Sequence, residues 1–189
     1  GLSVGFGGLA ALSDLAFAVP EGAIKALIGP NGAGKTTLFN VISGIQAPTT
    51  GRVLLGEEDI TGLPAHARVR RGLARTFQNL QVCMNMSAIE NVMVGAHLRL
   101  DRNLLKAALR WPSLRRRDRE LREEAAELMR FVGLENHVDA RADAMSYGTL
   151  KRLEIARALA MKPRLIFLDE PAAGLNPKET IEVDRLVRK

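Results

Sequence analysis

The sequence predicts an α/β fold with a parallel sheet, interrupted by a helical block. Three observations carry this. An apolar run at residues 23–28 leads into a glycine-rich turn and then into helical spacing. A second run at residues 165–168 is apolar without alternation, as expected of a strand buried on both faces of a parallel sheet. Between them, from about residue 79 to 145, the hydrophobic spacing is helical.

Each element has a local reason. Residues 23–28 (Ala-Ile-Lys-Ala-Leu-Ile) read as a strand bounded by Pro20 and Gly22 on one side and Gly29-Pro30 on the other. The helix from Lys35 to about Ser43 carries Leu38, Val41 and Ile42 on one side. Residues 52–55 and 73–77 read as short strands. Ser87 and Glu90 have capping-box spacing: the Ser87 side chain caps backbone N–H groups of the first turn while Glu90 reaches back to the cap. Residues 118–132 form a charged amphipathic helix with Leu121, Ala125, Leu128 and Val132 on one face, stopped at Gly133. Another helix covers residues 150–161 and ends before Pro163. Asn176 and Pro177 open the last helix as N-cap and first-turn proline.

Composition narrows the class. The chain has 189 residues, 47% of them apolar and 25% charged, which describes a globular domain and excludes a disordered one. Aromatics are 4%, too few for base-stacking platforms, so a nucleic-acid partner is not expected. Cys83 is the single cysteine and suits a reduced compartment. No run of 18 uncharged apolar residues occurs, and no secretory signal is seen. Both ends read as cut, since the chain starts at Gly1 and stops at Lys189 without a terminating pattern. The net charge is +6, and residues 99–122 account for it with nine basic and three acidic groups. That segment reads either as a solvated helix face, the usual behaviour of charge runs, or as a surface near anionic headgroups or an acidic partner.

Residues 29–36 (Gly-Pro-Asn-Gly-Ala-Gly-Lys-Thr) fit G-x-x-x-x-G-K-[ST] between a strand and a helix. Glycines let successive N–H groups turn inward around phosphate oxygens, and the following helix aims its N-terminal dipole at the same anion. Lys35 supplies a cation for the β- and γ-phosphates, and the Thr36 hydroxyl can ligate Mg²⁺. Leu165-Ile-Phe-Leu-Asp-Glu170 supplies the second half. Asp169 at the strand's carboxyl end suits Mg²⁺, and Glu170 can polarise an attacking water. Alone, an apolar strand ending in Asp-Glu is an ordinary solvated strand end; beside the glycine loop it is the expected partner.

These residues make the chain resemble an ABC transporter ATP-binding subunit over essentially its whole length. Residues 29–36 resemble Walker A, Gln78 in Thr-Phe-Gln the Q-loop, Ser146-Tyr-Gly-Thr149 the signature, residues 165–170 Walker B, and residues 171–177 the D-loop. Tyr147 and Thr149 depart from the usual Leu-Ser-Gly-Gly-Gln signature, while Ser146 and Gly148 are kept. The fold implied is a P-loop NTPase core with a mostly parallel sheet, N-terminal antiparallel strands and an inserted helical subdomain, truncated at the C-terminus. Residues 1–78 would be the first part of the core, 79–145 the helical subdomain, and 146–189 the signature helix and return to the core. The motifs Phe-Gly-Gly-Leu-Ala-Ala-Leu, Ala-Arg-Thr-Phe-Gln, Lys-Arg-Leu-Glu-Ile-Ala-Arg and Asp-Glu-Pro-Ala-Ala-Gly-Leu-Asn-Pro are similar to those of branched-chain amino-acid importers. ATPases of lipopolysaccharide-export or urea/amide transporters share much of this, and a soluble non-transport ABC ATPase is the alternative of a different class.

The resemblance implies an ATPase whose turnover is coupled to transport. ATP would be held by Phe6, stacked on adenine, and by Asn31, Gly32, Ala33, Gly34, Lys35, Thr36 and Thr37. Thr36, Gln78 and Asp169 would serve Mg²⁺, and Glu170 and Gln78 the attacking water. Ser146 and Gly148 would reach the nucleotide of a second ATP-binding subunit. The implied partners are that subunit, transmembrane permease subunits and, indirectly, a substrate-binding protein. The implied place is the cytoplasmic face of the inner membrane, peripherally. His66, His97 and His137 all precede the signature, so none is the family's switch histidine. That residue is expected beyond Lys189, which predicts impaired turnover for residues 1–189.

Overall fold

β1 (Leu2–Phe6) and β2 (Leu9–Leu15) form an antiparallel hairpin that turns at Gly7-Gly8, both with positive φ. The structure is a computed structural model describing residues 1–77, 79–99 and 112–189. It comprises two compact units, Gly1–Leu73 and Ala74–Lys189.

In the first unit the hairpin buries Leu2, Val4 and Leu12 against Leu38 and Val41 of α1 (Lys35–Ser43). Leu38 and Val41 are three apart, so both fall on one helix face. Left-handed glycines bound α1 at both ends: Gly34 before it and Gly44 after it. β3 (Leu54–Leu55) and β4 (Glu58–Asp59) make a second, shorter hairpin, followed by α2 (Ala65–Arg70).

Arg68 of α2 is 1% exposed. Its guanidinium donates to four carbonyls: Leu63 at 2.8 Å, Val41 at 2.7 Å, Ile42 at 2.8 Å and Thr61 at 2.7 Å. Val41 and Ile42 lie in the last turn of α1, where carbonyls have no intrahelical partner. Arg68 therefore ties the end of α1 to the loop before α2. Burial pulls its pKa below the usual guanidinium value, and Asp59 opposes that pull.

The second unit takes most of β5 (Leu73–Arg75), which pairs with β6 (Leu165–Phe167). The two strands are joined through the helical block, the kind of crossover that parallel neighbours require. The block contains α3 (Ala88–Gly95) and α4 (Pro112–Phe131); α5 (Tyr147–Leu159) comes after it, and α6 (Pro177–Val187) follows β6. Ile89 and Val92 of α3, Leu121, Ala125 and Met129 of α4, and Leu153 and Ala156 of α5 share one apolar core. Both expected caps form. Ser87 and Glu90 close a capping box on α3, and Asn176 does the same with Glu179 on α6, where Pro177 occupies the first turn. Among the described residues no helix is long and apolar enough to cross a membrane.

One expected strand is corrected. Residues 23–28 form no strand, and Ile28 is 90% exposed, with Ile24 and Leu27 exposed as well. A strand of this kind holds its shape through ladder hydrogen bonds on its flanks. Among the described residues none offers it a ladder. Lys25 instead turns back, donating to the Ala18 carbonyl at 2.9 Å and lying over the Phe17 ring. For the same reason residues 165–168 are half-buried, not fully enclosed: β6 has β5 as its single described neighbour. The expected strands at 52–55 and 73–77 shorten to β3 and β5. The helices expected at 118–132 and 150–161 begin earlier, as α4 and α5.

Candidate functional site

The glycine loop lies in the first unit and the acidic strand end in the second. At the loop, Ala33 N–H donates to the Pro30 carbonyl at 3.2 Å, closing a tight turn. Gly34 follows at φ 82°, a conformation that favours glycine. Space also demands glycine here, since a Cβ would stand 2.7 Å from both the Ala11 carbonyl oxygen and Leu12 Cδ2. Asn31, Gly32, Ala33 and Thr36 are exposed, and Thr36 and Thr37 occupy the first turn of α1.

That turn has no side-chain cap and no acidic residue. Its N–H groups and helix dipole together make a seat for an anion. Lys35 Nζ lies back across the loop, donating to the Gly29 carbonyl at 2.6 Å and the Pro30 carbonyl at 2.8 Å. The loop thus holds its own ammonium in place with backbone carbonyls. Phe6 ends β1 with 51% of its surface exposed, so its ring is accessible for stacking.

In the second unit, Asp169 is half-buried at the end of β6, and Glu170 beside it is exposed. Asp169 Oδ2 accepts from Arg75 Nη2 at 2.9 Å, and Asp169 N–H donates to Thr76 Oγ1 at 3.2 Å. Thr76 N–H donates to the Phe167 carbonyl at 2.9 Å. Glu170 has φ 48°, one of three non-glycine residues with positive φ among those described. A conformation of this kind costs about 1–3 kcal/mol and persists only where its surroundings hold it. Carboxylate and hydroxyl oxygens such as those of Asp169 and Thr36 are the hard donors that suit Mg²⁺, which keeps water and phosphate among its ligands. Gln78 lies outside the described residues.

Ser146 is the N-cap of α5. Its Oγ accepts from Thr149 N–H at 3.3 Å and shares a hydrogen bond with Thr149 Oγ1 at 2.8 Å. Thr149 thereby takes a role in the cap. Gly148 is buried against α6, where a Cβ would stand 2.9 Å from Glu179 Cγ and nearer still to its carboxylate. The segment 171–177 joins this arrangement through Gly174, which sits against the Tyr147 ring.

Two residues to which the motifs assign no role hold these parts in place: Arg75 and Glu154. Glu154 is buried on α5, paired with the buried Lys151 at 3.9 Å. Burial pushes its carboxyl above the ordinary range, and Lys151 pulls against that shift. Its Oε1 accepts from Phe77 N–H at 3.4 Å, and Arg157 on the same helix donates to the Gln81 carbonyl. Helix α5 therefore grips the chain on both sides of position 78. The one available signal was the amphipathic misfit of charged residues on an inward helix face, which spacing alone does not assign to a partner.

Comparison with known proteins places these parts in one family. Residues 12–173 match the ABC transporter family, and the chain belongs to it. It is 44% identical over 189 residues to the high-affinity branched-chain amino acid transport ATP-binding protein BraF of Pseudomonas aeruginosa, covering all of this chain and 74% of that one. It is 43% identical over 187 residues to LivG of Escherichia coli, which has the same description, covering 99% of this chain and 73% of that one. Among solved structures, the ADP conformation of MJ1267, an ATP-binding cassette of an ABC transporter, superposes with a TM-score of 0.83 at 33% identity. That superposition covers 98% of this chain and 72% of MJ1267. A nucleotide-free cassette from an ABC transporter gives 0.81 at 32% identity, covering 98% and 73%.

Proposed function

We propose that the chain is the ATP-binding and hydrolysing subunit of a transporter that imports branched-chain amino acids. The observation that carries the ATP reading is the uncapped first turn of α1 with Lys35 laid over the glycine loop, an anion seat built from backbone. The identity to BraF and LivG over nearly the whole chain supports the substrate class.

In this reading Lys35 and the N–H groups of residues 32–37 hold the phosphates, and Phe6 stacks on the adenine. Thr36 and Asp169 hold Mg²⁺, whose charge offsets that of the phosphates. Glu170 takes a proton from the attacking water, with Gln78 helping to orient that water. Ser146 and Gly148 present the start of α5 to the nucleotide of a second ATP-binding subunit. The helical subdomain at 79–145 meets permease subunits, so the chain sits peripherally at the cytoplasmic face of the membrane. A substrate-binding protein delivers the amino acid, which never touches this chain.

Glu170→Gln tests the site, because it removes the base and leaves the metal oxygens. With ATP the variant accumulates a dimer on size exclusion, and hydrolysis at the parent's rate would refute the role of Glu170. For the substrate, ATPase activity in the assembled transporter rises with binding protein loaded with leucine, isoleucine or valine. Stimulation by a lipopolysaccharide carrier or by urea, and by none of the three, would refute that part.

A further inference from the structure

We propose that Arg75 is the resident counter-cation of Asp169, and that it sets how much Mg²⁺ the acidic strand end requires. The inference rests on the reading that Asp169 serves the metal. Arg75 stands three residues before Gln78 at the end of β5, and Asp169 follows β6, the strand paired with it. The two side chains meet at 2.9 Å with 6% and 14% of their surfaces exposed. The contact is registered by backbone: Thr76 N–H holds the Phe167 carbonyl, and Thr76 Oγ1 holds the Asp169 N–H. Arg75 also lies over the Phe77 ring, its guanidinium carbon 5.1 Å from the centroid.

The chemistry follows from sharing one carboxylate. A charge-assisted bond from a guanidinium occupies Oδ2 and orients the group, leaving Oδ1 for a metal or its water. In a poorly solvated setting the positive charge of Arg75 weakens the attraction of Asp169 for a second cation. The strand end therefore demands a divalent ion that arrives with phosphate charge, and free Mg²⁺ is held weakly. Arg75 acts through Asp169 and is a positioning residue.

Mg²⁺ titration of trinitrophenyl-ATP binding to the full-length protein tests this without turnover. Arg75→Gln lowers the Mg²⁺ concentration for half-maximal metal-dependent binding by on the order of tenfold, the worth of one charge-assisted hydrogen bond. Arg75→Lys keeps a point charge and stays within about threefold of the parent. Binding without Mg²⁺ is unchanged in both. An unchanged or raised Mg²⁺ requirement in Arg75→Gln overturns the proposal. Asp169→Asn separates the two readings. If it leaves the Mg²⁺ dependence as in the parent, the metal role of Asp169 fails; if it alters that dependence while Arg75→Gln does not, Arg75 alone fails. Should Arg75→Gln fold poorly, the pair Arg75→Gln/Asp169→Asn must be more stable to heat without metal than Arg75→Gln. A pair no more stable also overturns the proposal.

Discussion

Replacing Arg68 by Leu tests whether one buried guanidinium secures the first unit. Four carbonyls accept from Arg68, at 2.7–2.8 Å. Of these, Val41 keeps a second partner, the Gly44 N–H at 3.1 Å. The carbonyls of Ile42, Thr61 and Leu63 then face a side chain that cannot donate. At about 1–3 kcal/mol for each buried polar group left unmet, the gross loss is about 3–9 kcal/mol. Removing a buried charge returns part of that, because its desolvation cost disappears, which leaves a net loss of about 2–5 kcal/mol. For a chain of this size each kcal/mol moves Tm by about 2–4 °C, so the transition falls by about 10 °C.

Thermal unfolding followed by circular dichroism measures this, with Arg68→Lys as the comparison. Lysine keeps the charge but cannot span four acceptors, so its Tm falls between those of parent and Arg68→Leu. Well below the transition, nucleotide affinity stays near the parent's. The Arg68 contacts lie at the far end of α1 from the loop, and nine helical residues span about 13 Å. A Tm loss under about 2 °C would show that water or neighbouring donors replace the guanidinium, and the reasoning would fail.

Three further outcomes are expected. Lys35→Ala abolishes ATP binding in a fluorescent-nucleotide titration, because it removes the cation held over the loop; near-parent affinity would remove residues 29–36 from the phosphate role. Gly34→Ala lowers stability by about 2–5 kcal/mol in denaturant unfolding, summing the left-handed penalty and the clash with Ala11 and Leu12. For Glu154→Gln the sign comes from burial, which raises the folded-state pKa above the unfolded one. The stability that Glu154 lends is thus fully present below its unfolded pKa and fades as pH rises through the raised value. The parent's Tm advantage over the variant therefore shrinks as pH rises from 4 toward 8, and an advantage that grows would contradict the burial argument.

How much of this was legible depended on how local each cause is. The caps at Ser87 and Asn176 and the glycines bounding α1 act within four residues, so the sequence displays cause and effect together. The amphipathic face of α4, with Leu121 and Ala125 inward, is equally local. Residues 23–28 are the opposite case. Their apolar, β-branched character is a strand's, but a ladder comes from elsewhere in the chain, and the described residues supply none. At the candidate site the glycine loop, the acidic pair and the capping serine were readable as motifs. The partners Arg75, Thr76 and Glu154 were not, because a charge run and a buried ion pair look alike in sequence. Asp169 lies 94 residues from Arg75, and nothing in spacing joins them.

The chemistry-bearing segments share a mode of support that bears on function. The α1 that begins at the glycine loop ends on Arg68. Asp169 is fixed by Arg75 and Thr76, and the chain on either side of position 78 by Glu154 and Arg157. In each case a charged or hydroxyl side chain binds backbone or carboxylate, where an apolar contact would have served packing as well. Apolar contacts tolerate sliding, whereas hydrogen bonds fix position to a few tenths of an ångström. Phosphoryl transfer draws its catalysis from positioning and charge, so the precision sits where the reaction would use it. Buried Arg68 and Glu154 carry desolvation costs, and these costs are what such precision requires of a unit whose apolar core holds the rest.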